Sequence, residues 1–240
     1  SALIKAGSIH KLELAGLRGD RLPVVAGGLA IMNAVFKEFD LEHMAFSEGA
    51  LRLGVLYDLL GRYHHHDLRD ATVRVFAQRY GVDQGHAGRV AETAFHMLGQ
   101  VVSASREPDH PERRFLGWAA ELHEIGVSVA HSGYHKHSSY ILANADMPGF
   151  SKMDQARLAR VVLAHRGKLE RIAGLDPSSI DWLLIACLRL AAVLHRARDG
   201  RRTPPIELLT EGPDLVLSVD AAWLRQHPLT ACALADEERQ

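Results

Sequence analysis

From Asp67 to Asp199 apolar residues recur at spacings of three and four, and only Gly, Pro or Asp interrupts them. The segments are DLRDATVRVFAQRYGV, DQGHAGRVAETAFHMLGQVVS, RRFLGWAAELHEIG, HSSYILANAD, SKMDQARLARVVLAHRGKLE and SIDWLLIACLRLAAVLHRARD. Consecutive amphipathic helices of this kind bury their apolar faces against one another, which predicts a helical bundle. Asp67 is placed to cap the first of them.

Outside this block the pattern changes. Upstream, VVAGGLAIMNAVFKEF sets Gly27 and Gly28 before a helix face of Leu29, Met32, Val35 and Phe36. A glycine pair at a helix start makes a tight turn, and it also lets a phosphate approach backbone amides. MAF (44–46) reads as a short strand, and SEGALRLGVLYDLLGRY as a helix with Ser47 at its start and Gly61 at its stop. HHHD (64–67) reads as a solvated connector, because adjacent side chains point in different directions on any regular element. Downstream, PPIELLT and DLVLSVD joined by EGP predict a β-hairpin. AAWLRQHPLTACALA then adds a short helix and a further strand. The first residues, SALIKAGSIHKLELAGL, enter structured-looking sequence at once, so a fragment of a longer protein is expected.

Composition narrows the function classes. The 28 Lys and Arg nearly balance the 29 Asp and Glu, so no global field favours nucleic acid and any anion site must be local. The only cysteines, Cys187 and Cys232, cannot build a disulfide framework and fit a reducing cytosol. Arg189 breaks the longest apolar run, and the N-terminus lacks a basic-then-apolar leader. A cytoplasmic protein without a membrane span is expected.

Histidine is the residue used out of proportion. His123, His131, His135 and His137 fall within fifteen residues. His86, His123, His137 and His165 stand near the facing ends of consecutive helices, where their rings could converge as bundle metal sites do. Taken singly, each is an ordinary surface or hydrogen-bonded core histidine. Lys136, Arg157, Arg160, Arg166, Lys168 and Arg171 lie near them in sequence and predict a positive face.

The segments GGLAI, SEGALRLGVLYDLLGR, LGWAAELHEIG, HSGYHKHSSYILANADMPGFS and RVVLAHRGKL resemble the family of exopolyphosphatases and guanosine pentaphosphate phosphohydrolases, over almost the whole chain. The resemblance implies a mainly α fold in three parts. Residues 1–62 would be the end of a ribonuclease-H-like (actin-like) lobe, 63–202 an HD-like helical domain, and 203–240 the start of a small α+β domain. The family's catalytic carboxylates and glycine-rich phosphate loops have no counterpart in this sequence, so no catalytic residue is expected in it.

HD phosphohydrolases bind one or two metals through a His, a His-Asp pair, two further His and a late Asp. By resemblance those places fall on His86, His123 with Glu124, His137 and His165. Glu124 lengthens the expected carboxylate by one methylene, and Ala191 and Ala192 stand where the late Asp belongs. Asp199 lies about two helical turns beyond. The donor set is therefore degenerate.

The expected function is that of the C-terminal portion of an exopolyphosphatase, whose parent cleaves terminal phosphate with Mg²⁺ help. This portion would bind polyphosphate through Gly27, Gly28, His131, His135, Lys136, Arg166 and Lys168 and support a homodimer. Histidine would strengthen that binding as pH falls through about 6.5. The alternatives are a metal-dependent HD-type phosphohydrolase acting on a guanosine polyphosphate, a parent that hydrolyses guanosine pentaphosphate, and a purely structural or dimerising module.

Overall fold

A computed structural model describes residues 2–12, 15, 17–44, 55, 67–200, 203–212 and 214–239. It is mainly helical. The chain divides into two compact units, residues 1–54 and 55–240. In the first, α1 (Ala2–Ala6) and two 3₁₀ turns (Ile9–Lys11 and Gly19–Val24) lead directly into α2 (Val25–Glu38). The helix starts two residues before the glycine pair, so Gly27 and Gly28 lie inside its first turn and not in a turn before it. Both are exposed, with no atom within 4 Å of where a side chain would begin. Apart from Met44 and Val55, the strand expected at 44–46 and the helix at 47–63 lie outside the described residues. So do His64, His65 and His66 of the connector.

The second unit contains the bundle: α3 (Leu68–Arg79), α4 (Gln84–Val101), α5 (Pro111–Leu122), α6 (Tyr134–Asn144), α7 (Lys152–Ala164) and α8 (Asp181–Leu194). Side-chain oxygens of Asp67, Asp83 and Ser151 accept backbone N–H groups at the starts of α3, α4 and α7, satisfying donors a helix leaves orphaned. Pro111 opens α5, where its missing N–H costs nothing. α4 packs against α5 and α8, and α6 lies along α7. Met97, Leu98, Leu116, Leu122, Leu158, Leu184 and Leu188 are fully buried between them. Each such side chain stabilises the fold by roughly 2 kcal/mol relative to leaving it in water.

The expected hairpin is present. β1 (Ile206–Glu211) pairs antiparallel with β2 (Asp214–Val219) in the register Ile206↔Val219 to Glu211↔Asp214. Ile206 and Leu208 point into the bundle core. Gln100 of α4 fastens the strand as a neighbouring strand would, donating to the Ile206 carbonyl at 3.0 Å and accepting from the Leu208 N–H at 2.8 Å. After the hairpin the strand expected in AAWLRQHPLTACALA is absent; two helices take its place, α9 (Ala221–Gln226) and α10 (Pro228–Glu237). Asp220 caps the first and Pro228 opens the second, and these local stops and starts outweigh the apolar run that suggested a strand.

Arg189 explains its place in an apolar helix. It is 4% exposed, donates to the carbonyls of Ala164 and Gly167 at the end of α7, and reaches Glu237 of α10 at 2.6 Å. One guanidinium thus satisfies the last carbonyl of α7 and one in the turn after it, and ties the C-terminal helix to the bundle. Among the described residues no helix is long and apolar enough to cross a membrane. Cys187 and Cys232 are both free, and burial pushes the Cys187 thiol up to about 12, which leaves it inert at neutral pH.

Candidate functional site

The ends of α4, α5, α6 and α7 bring histidines together in the interior. His86 lies in the first turn of α4, His123 caps the end of α5, His135 lies in the first turn of α6, and His165 caps the end of α7. Ring centroids are 6.0 Å apart for His86 and His123, 5.1 Å for His123 and His165, and 6.2 Å for His165 and His135. Tyr134 closes the group, 5.6 Å from His165 and 6.1 Å from His135. All four imidazoles are buried.

His137 is not the fourth member; His135 is. The reason is the start of α6, which begins at Tyr134 behind the left-handed Gly133 and not at His137. Tyr134, His135, Ser138 and Leu142 consequently form its buried side, and half-buried His137 lies against the turn at 125–128. Gly126 makes that approach possible: a side chain on it would begin 2.2 Å from the Tyr134 carbonyl oxygen and 2.4 Å from the Ser138 nitrogen. Its N–H donates to Ser138 Oγ at 2.9 Å, and that hydroxyl donates to the His123 carbonyl at 2.8 Å. The pair of bonds locks α6 to the end of α5.

Three of the four rings have a definite role in hydrogen bonding. His123 Nδ1 lies 2.7 Å from the Ala120 carbonyl and His165 Nδ1 lies 2.5 Å from that of Val162. A carbonyl only accepts, so both rings carry the Nδ1 proton and present a lone pair at Nε2. His135 Nε2 accepts from Arg171 at 2.8 Å. Gly167, at φ 82°, makes room for this contact, since a side chain there would begin 2.8 Å from the Arg171 guanidinium. Two more residues join the group that the helical pattern did not single out. His195 meets Thr93 Oγ1 at 2.7 Å, and Arg198 reaches Glu124. Only position on the helix face could have found His195, and nothing local marks Arg198, which arrives by tertiary folding.

Burial holds these rings neutral. It lowers His86, His123 and His165 below the ordinary histidine range, and it brings His135 and His195 down to about 4. Around His135 the charges of Arg171, Arg166 and Lys136 push the same way. For His135 and the other buried rings, the expectation that histidine would attract anions as pH falls through the usual range is therefore corrected: a desolvated imidazole beside guanidinium groups stays uncharged there. His86 Nε2 and His123 Nε2 lie 3.9 and 4.0 Å from Glu124 Oε1, but with neutral rings neither contact is an ion pair.

Among the described residues, His86, His123 and Glu124 form a group whose ligand atoms all lie within 4.8 Å of one another, which by number and chemistry could serve a divalent ion. The carboxylate is already committed, however. Arg198 Nη2 lies 2.5 Å from both Glu124 oxygens. The donor set as arranged therefore does not fit a metal, because an ion on Glu124 would face a guanidinium at bonding range and have only neutral imidazoles beside it.

The positive face is narrower than the sequence predicts. Arg157 is spent on Glu112 and Asp181, and Arg160 on Asp181. Lys136, Arg166, Lys168 and Arg171 are exposed next to the buried cluster. Among the described residues neither Lys136 nor Arg166 forms an ion pair, and Arg166 lies 5.3 Å over the Tyr134 ring. Exposed His131, 6.4 Å from Tyr134, shares that side. Gly27 and Gly28 belong to the other unit.

Comparison with known proteins adds the lineage. A family model for Ppx/GppA phosphatase, domain III, matches residues 68–238, and one for the Ppx/GppA phosphatase family matches residues 1–63. The chain is 36% identical over 236 residues to a guanosine-5'-triphosphate,3'-diphosphate pyrophosphatase of Pseudoalteromonas translucida, covering 97% of this chain and 48% of that protein. It is 36% identical over 242 residues to the protein of the same name from Aeromonas hydrophila, covering 99% and 49%. The Vibrio vulnificus protein of that name is 32% identical over 232 residues, covering 95% and 46%. The chain spans about half the length of these relatives.

Proposed function

Because the chain belongs to the Ppx/GppA phosphatase family, we propose that it is the C-terminal portion of a phosphoanhydride hydrolase whose substrate is guanosine pentaphosphate. The observation that carries the substrate is the activity in the names of relatives aligned over nearly all of this chain. In this reading Lys136, Arg166, Lys168 and Arg171 hold the phosphate chain through charge-assisted hydrogen bonds. His135 accepts from Arg171 and so fixes the direction in which that guanidinium points. The neutral imidazole cluster beneath supplies rigidity and not charge.

Attack of water on the terminal phosphorus belongs to carboxylates outside this chain, as the family resemblance implies, and Mg²⁺ would neutralise phosphate oxygens there. This portion's part is to bind and orient, and to exclude wrong registers of the phosphate chain. A homodimer and a cytoplasmic location belong to the same proposal.

A second reading keeps inorganic polyphosphate as the substrate. The exposed cations come from two neighbouring stretches, Lys136 on α6 and Arg166, Lys168 and Arg171 after α7, an extended arrangement that suits a flexible polyanion. Binding of the 240-residue chain to guanosine pentaphosphate and to long-chain polyphosphate, each measured against salt, tests both. Lys136→Ala with Arg166→Ala should weaken the true ligand and reduce the slope of log K against log salt by about 1 to 2. Preference for polyphosphate over the nucleotide selects the second reading. Absence of binding of either at low salt leaves the structural or dimerising module.

A further inference from the structure

The Glu124 carboxylate would be the anionic anchor of any cation in the histidine cluster, and Arg198 covers it. The Arg198 side chain is 44% exposed and that of Glu124 13%, so the guanidinium closes the carboxylate from the solvent side. A second contact, Arg198 Nη1 to Asp83 Oδ2 at 3.5 Å, links it to the residue that caps α4 just before His86. The backbone is shaped for this: Arg198 has φ 53°, a left-handed conformation rare for a residue with a side chain, directly after α8. That turn brings a cation back over α5, whereas the helix itself offers only Ala191 and Ala192 at the place where a late acid is expected.

The rest of the donor set is still prepared for a metal. His123 donates its Nδ1 proton to the Ala120 carbonyl, which fixes the tautomer with Nε2 free, as the outer-shell partner of a metal-bound histidine does. His86 offers Nε2 at 3.9 Å from the same carboxylate.

We infer that Arg198 is the resident cation of this pocket, its guanidinium standing in the counter-ion place of a divalent metal, so that His86, His123 and Glu124 are a latent metal site closed by a side chain of the same protein. The arginine neutralises Glu124, repels a second cation and fills the open coordination side. The pocket is thereby converted from a metal centre to a fixed structural joint between α5 and the end of α8. Removing the charge reopens it.

Cobalt(II) titration of the full 240-residue chain, read by visible d–d absorption, tests this on the unaltered protein, Arg198→Gln, Arg198→Lys and Arg198→Gln/His123→Ala. Arg198→Gln should take one equivalent at least about 10-fold more tightly than the unaltered chain. Arg198→Lys, which keeps the charge, should remain closed, and the double variant should lose the site. Equal binding by the unaltered chain and Arg198→Gln overturns the inference, as does a folded Arg198→Gln that takes no cobalt. Paramagnetic broadening of the His86 and His123 ring resonances in the unaltered chain needs no variant. Broadening by stoichiometric cobalt contradicts closure, and its absence supports it.

Discussion

Lowering the pH from 7 to 5 should destabilise the histidine-bearing unit, and the size of the loss follows from the site. His135 titrates at about 4 in the fold because burial and then the charges of Arg171, Arg166, Lys136 and Arg189 oppose its protonation. His195 is also at about 4, through burial first and then His86 and Arg89. Unfolded histidine titrates near 6.5, so below that value the unfolded chain takes up protons that the fold refuses. Stability is complete above about pH 6.5, falls towards about pH 4, and is lost at no further rate below it. Between pH 7 and 5 each of these two rings removes about 2 kcal/mol, together a large fraction of the 5–15 kcal/mol typical of a domain. His86, His123 and His165, also lowered by burial, act in the same direction. Glu121, raised by burial, opposes them. Urea unfolding followed by far-UV circular dichroism should show a midpoint lower by about 1 to 2 M at pH 5 than at pH 7. His135→Gln should shrink that difference by its share of about 2 kcal/mol. A midpoint that is flat, or rises, on acidification would refute the neutral cluster.

Gly126→Ala places a methyl carbon 2.2 Å from the Tyr134 carbonyl and 2.4 Å from the Ser138 nitrogen, both backbone atoms. It should cost roughly 3 kcal/mol or more in urea unfolding. Gly27→Ala meets open space and should be neutral or slightly stabilising. Arg189→Met strands two carbonyls of the α7 end together with Glu237, and should lower stability by roughly 3 kcal/mol. Arg189→Met with Glu237→Gln should recover part of that loss, because the unpaired charge is then gone.

The bundle was legible because each helix carries its own instructions. Asp67, Asp83 and Ser151 start helices, apolar spacing marks their faces, and the alternating runs at Ile206–Glu211 and Asp214–Val219 mark the paired strands. What was misjudged depends on context. His137 looked like the opening of a helix, but Gly133 in the left-handed region starts α6 a turn earlier and puts His135 inside instead. The charge on the site was likewise invisible: an imidazole reads as a base until its burial is known, and Arg157 reads as a free cation until Glu112 and Asp181 are found beside it. Arg198 lies 74 residues from Glu124 and makes its contact only through the packing of α8 against the rest.

The most direct measurement is elemental analysis of the chain as purified from cells, without added metal or chelator. A pocket closed by Arg198 predicts that manganese, iron and zinc all stay well below one equivalent. A full equivalent of any one of them, lost in His123→Ala, would contradict it.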